Sequence, residues 1–117
     1  MRSNVGMSRY LQVLSAVCFS CGVVAAQAQT VDVAAAEALA KTSNCTKCHS
    51  VDKKKDGPSY KDTAAKYKGK ADAEATLTKH ITTGPKIKID GVEEQHQIVK
   101  TKDPAAIKNL VVYILSR

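Results

Sequence analysis

The 117-residue sequence has no Trp, one Phe, four Tyr and two Met. So few large side chains leave a small chain short of material for a core of its own. Something other than protein is therefore expected to fill it. No run reaches the roughly 18 consecutive apolar residues of a membrane span. The length allows one small domain and excludes a multidomain enzyme. At 44% hydrophobic residues, the composition also excludes a wholly disordered chain.

What is present begins with an export leader. Arg2 and Arg9 form a basic start, Tyr10 to Ala26 is mostly apolar or small, and Ala26-Gln27-Ala28 supplies a small-x-small cleavage pattern. The alternative is a buried N-terminal helix. Residues 1–28 are expected to be cleaved, leaving 29–117 as the mature domain. Cys18 and Cys21 leave with the leader, and neither follows the small, aliphatic run expected before a lipid-modified Cys. Both Met and the one Phe go too, and the net charge falls from +7 to +5 with His neutral. The mature chain keeps two thiols, Cys45 and Cys48, and no thioether.

Patterning beyond the leader predicts helices and loops. Val31 to Ser43 is Ala-rich with helical spacing, and Thr30 is a candidate cap. Ser50 to Pro58 is polar and reads as a loop. Ser59 opens a helix to about Tyr67, stopped at Gly69. Asp72 opens another, with Leu77 and Ile81 four apart and Gly84-Pro85 at its end. The stretch 85–102 is polar and expected to be irregular, apart from the alternation Lys86-Ile87-Lys88-Ile89. Asp103-Pro104 then starts a last helix, whose Ile107, Leu110, Val111 and Ile114 form one apolar stripe. No internal repeat or dividing linker is found.

One motif carries chemistry: Cys45-Thr46-Lys47-Cys48-His49. Two thiols at this spacing can add across the two vinyl groups of a haem, and the adjacent His can ligate its iron. A redox dithiol would want a βαβ setting, which the pattern lacks. Zinc would want two more close Cys or His, and His80 and His96 are poorly placed for it. A plain disulfide suits an exported chain, but leaves both His49 and the missing core unexplained.

The run from Cys45 to Gly84, CTKCHSVDKKKDGPSYKDTAAKYKGKADAEATLTKHITTG, resembles the small bacterial class I cytochromes c. Leu39-Ala40-Lys41 and the last helix extend the likeness over nearly all of the mature chain. The resemblance implies an all-α cytochrome c fold, about four short helices around one covalently bound haem c with its iron. It also implies that the Pro58 carbonyl accepts a hydrogen bond from the His49 ring. Two departures stand out. Ala40 stands where the family usually has an aromatic, and the family's distal Met is missing.

His96 falls where that Met would be, 47 residues after His49, and an imidazole is a good iron ligand. His96 is therefore the expected distal ligand, with His49 proximal. His80 reads as a partner of a haem propionate, or as a surface group. Lys86 and Lys88 would have to lose a proton to ligate. Two imidazoles favour oxidised iron more than imidazole plus thioether does. The resulting expectation is a periplasmic monohaem carrier of one electron, of lowered potential, and not an enzyme. The alternative is a haem protein with a displaceable distal ligand that binds or senses a small molecule. Lys53, Lys54, Lys55, Lys66, Lys68 and Lys70 form an expected basic rim for acidic redox partners, unless they serve only solubility. Nucleic acid is excluded by the absence of interleaved aromatics or a recognition helix. A monomer is expected.

Overall fold

Three of the helices among the described residues start where a side chain replaces a missing backbone partner. In the computed structural model, which describes residues 30–117, Asp32 accepts from the Ala35 N–H and opens α1, Val33–Thr42. The cap is thus Asp32, where Thr30 was expected. Ser59 does the same for α3, Tyr60–Tyr67, through the Asp62 N–H. Asp103 accepts from Ala105 N–H at the head of α5, Pro104–Leu115, with Pro104 inside the first turn. Asp72 precedes α4, Ala73–Thr83, but makes no capping bond; its carboxylate takes the Thr76 hydroxyl at 3.3 Å. The leader expected over residues 1–28 lies outside the described residues.

Two elements exceed the four helices expected. Cys45–Cys48 itself forms a single turn, α2. The stretch expected to be irregular contains a hairpin, β1 Lys86–Ile89 and β2 Val92–Gln95, paired antiparallel with Lys88 opposite Glu93. Asp90 and Gly91 make its turn at φ 48° and 84°, the pair of positive values that a tight primed turn demands. Every residue of β2 is exposed, so hydrophobic alternation could not reveal it.

The core lies where α5 crosses α1, α3 and α4. Ile107, Leu110, Val111 and Ile114 are buried, as the stripe required. On α1, Ala36 and Ala40 are small enough for α5 to approach closely. Tyr113 of α5 belongs to the same core and is 1% exposed. Its hydroxyl donates to Glu37 at 2.9 Å, and its ring meets Tyr60 edge-on at 6.0 Å. Asp32 and Asn109 add a reciprocal pair, N–H to Oδ1 at 2.9 Å and Nδ2 to O at 2.8 Å.

Candidate functional site

One turn of helix puts Cys45 and Cys48 on a common face. Both are free thiols, half-buried, and burial raises the Cys45 thiol above 9.0. Asn44 enters the turn at φ 61°, left-handed, a conformation Asn tolerates better than most residues. His49 leaves it extended, with its N–H still on Cys45 O at 2.9 Å.

The lysine-rich loop then folds back under the motif. Gly57 N–H reaches Cys48 O at 2.9 Å, and Lys55 Nζ donates to Thr46 O at 2.6 Å. This carries the Pro58 carbonyl to 2.7 Å from His49 Nδ1. A carbonyl only accepts, so Nδ1 carries the proton and Nε2 keeps its lone pair. Gly57 lies flat against the ring: a Cβ there would sit 2.5 Å from His49 Cε1. Tyr60 stacks on the same imidazole, centroids 6.0 Å apart and planes 23° from parallel. Its hydroxyl is buried with no hydrogen-bond partner among the described residues, and burial pushes its pKa to about 12.

The hairpin delivers His96 from the opposite side. Gly84 ends α4 at φ 58°, and a Cβ on it would meet His96 O at 2.7 Å. The segment beyond is tied down in three places. His96 N–H bonds Pro85 O at 3.0 Å, Val99 N–H bonds Ile81 O at 2.9 Å, and Lys100 N–H bonds the fully buried Ser43 hydroxyl at 2.9 Å. The His96 ring repeats the arrangement of His49, with Nδ1 donating to Gln97 O at 2.8 Å. Burial lowers the His96 pKa below 6.5, and the neighbouring His80 adds to the shift.

His49 and His96 therefore come together with their Nδ1 atoms engaged and their Nε2 atoms without a hydrogen bond among the described residues, ring centroids 6.1 Å apart and planes at 51°. His80 is brought to the site as well, its centroid 4.3 Å from that of His96 and its plane at 65°. Sequence reasoning placed it near the haem edge and missed this contact. It missed Gly57, Gly84 and Ser43 too; the glycines were visible only as helix and loop breaks. A groove of about 1220 Å³ between α3, α4 and α5 includes none of the Cys or His residues. Its rim of exposed lysines and its alanine floor offer no such donor set.

The family model described as Cytochrome c matches residues 33–117. The chain belongs to the cytochrome c family. Its structure is similar to that of the class 1 cytochrome MtoD from Sideroxydans lithotrophicus ES-1, at 61% identity and TM-score 0.71, over 74% of this chain and 97% of that one. Among curated relatives, the cytochrome c-551 of Allochromatium vinosum is 43% identical over 81 residues, 66% of this chain and 80% of its own. The cytochrome c-551 of Pseudomonas aeruginosa is 50% identical over 48 residues, which is 46% of its length. The fold is the cytochrome c fold, with five helices and one small hairpin among the described residues. As a cytochrome c, the protein carries one covalently attached haem c with its iron.

The residues present fit that group. A metal-bound imidazole holds its nitrogen about 2 Å from the ion, so two on opposite sides of one ion have ring centres roughly 6 Å apart, close to the 6.1 Å observed. Both rings have their second nitrogen fixed on a carbonyl, as metal-ligating histidines do. Free thiols flank them at Cys45 and Cys48.

Proposed function

We propose that this cytochrome is a periplasmic one-electron carrier, its haem linked through Cys45 and Cys48 and its iron held between His49 and His96. The observation that carries the reading is the close pair of rings, each pinned at Nδ1 and open at Nε2. The sequence supports it independently, since no Met occurs among residues 29–117. When bound, the haem supplies an iron that gains or loses one electron. His49 and His96 would fill the two positions that the haem ring leaves on the iron, leaving none for a substrate, so the reading is of a carrier and not an enzyme. The Pro58 carbonyl makes the His49 ring more electron-rich, and two imidazoles set the potential below that of a thioether-ligated relative.

Residues 1–28 act as a cleaved export leader in this reading, and 29–117 as the working monomer. Its partners are redox proteins with acidic surfaces, met through exposed lysines.

The test is optical. The isolated holoprotein should have the mass of residues 29–117 plus one haem, a low-spin spectrum in both oxidation states, and no thioether-to-iron band in the far red. His96→Ala should turn it high-spin or water-ligated and let carbon monoxide bind readily. Retention of the low-spin spectrum in His96→Ala would refute the ligand assignment. A wild type already high-spin would mean a site that takes a small molecule.

A further inference from the structure

Tyr113, Tyr60, His49, His96 and His80 form a row of neighbouring aromatic rings, their centroids 6.0, 6.0, 6.1 and 4.3 Å apart in that order. Within this row the closest approach is the last, 4.3 Å between the His80 and His96 centroids. The two residues are carried very differently. His80 stands on α4, a three-turn helix anchored by buried Leu77 and Ile81 on either side of it. His96 stands on a loop, just past a hairpin that is exposed along all of β2. Backbone bonds fix the loop, but the His96 imidazole itself has one polar tether, from Nδ1 to the carbonyl of its own neighbour Gln97. That bond restrains the ring at one atom but does not by itself single out one setting of the plane. Aromatic pairs in edge-to-face contact gain about 0.5–1.5 kcal/mol beyond their buried area, enough to select one setting of the plane.

We propose that His80 is a positioning residue for the distal ligand: its ring, held edge-to-face by α4, fixes the rotation of the His96 imidazole about its bond to iron. This rests on His96 being the distal ligand. The helix is the rigid partner and the loop the adaptable one, so His80 sets His96 and not the reverse. What it sets is the 51° between the two ligand planes. That angle governs how the ferric iron's d orbitals split, because each imidazole donates π-electron density along the normal to its own plane.

Low-temperature electron paramagnetic resonance of the ferric holoprotein reads the angle directly. His80→Phe keeps a ring at the same place without its nitrogens and should retain the wild-type g values. His80→Ala should remain low-spin but shift the largest g value by more than the line width, and broaden it as the His96 plane spreads. Should His80→Ala fail to yield folded holoprotein, His80→Leu, bulky but without a plane, carries the same expectation. Unchanged g values in the ringless variant would overturn the proposal. So would a His80→Phe signal displaced like that of His80→Ala, which would make a polar contact the cause. Loss of the low-spin signal in His80→Ala would make His80 a ligand, and overturn it also. Failure of the underlying ligand assignment would appear separately, in the wild-type and His96→Ala spectra.

Discussion

At the scale of single residues, two glycines with nothing alike but their side chain make opposite forecasts. Gly69 has φ 75° and open space where a Cβ would go, whereas Gly57 lacks a positive φ and abuts the His49 ring at 2.5 Å. Gly69→Ala should cost about 1 kcal/mol of stability through backbone strain alone, with the haem spectrum unchanged. Gly57→Ala should drive the imidazole off the Pro58 carbonyl, altering the spectrum and potential as well as lowering the melting temperature. Optical spectra and thermal melts of both variants check the pair, and an unaltered Gly57→Ala spectrum would count against the cradle. Cys45, Cys48 and His49 were legible in the sequence because their chemistry is local and spaced by one turn. The approach of His96 to His49 was expected from its position and from the absence of Met, and the two rings do lie 6.1 Å apart. The role of Gly57 was not, because closeness between a loop and a ring is a tertiary fact that Gly57-Pro58 expresses only as a break.

Among elements, α1, α3, α4 and α5 could be read because each buries a periodic face, while α2 and the hairpin bury almost nothing. The hairpin's legible signal was the dipeptide Asp90-Gly91 behind an alternating strand, rather than any stripe. The α1–α5 crossing makes a quantitative forecast. Burial first, and then the bond to Glu37, raise the Tyr113 pKa above 10.0. The unfolded chain therefore loses this proton at lower pH than the folded one. The stability that Tyr113 contributes is fully present below pH 10 and is lost as pH rises through the folded value. Tyr113→Phe should cost about 1 kcal/mol at neutral pH through the lost hydrogen bond. Denaturant melts at a series of pH values should find that gap narrowing above pH 10; a constant gap would mean that the hydroxyl does not titrate with unfolding.

For the whole molecule, the proposed basic docking surface can be divided, because its lysines are not equivalent. Lys55 is spent on the Thr46 carbonyl, and Lys61 is paired with Asp52. Lys66 and Lys70 lie 5.5 and 5.4 Å from the Tyr67 ring centre. Lys53 and Lys54 are exposed beside the attachment turn. Changing both to Gln should slow electron exchange with an acidic partner several-fold at low ionic strength. The difference should fade near 0.15 M salt, where charges are screened over about 8 Å. Lys55→Gln should instead lower the melting temperature, with a salt-independent effect on rate. Stopped-flow rates across a salt series separate these outcomes, and identical salt slopes for the two variants would contradict the division.

The reciprocal bonds between Asp32 and Asn109 join positions 77 residues apart, and with them the first helix meets the last. Closing a segment of that length costs about 4 kcal/mol in chain entropy before any contact rewards it. A polypeptide that emerges with its N-terminus leading cannot complete this ring until Asn109 has appeared. Closure thereby waits for α5, and the cysteine turn stays reachable for covalent attachment throughout the interval before it.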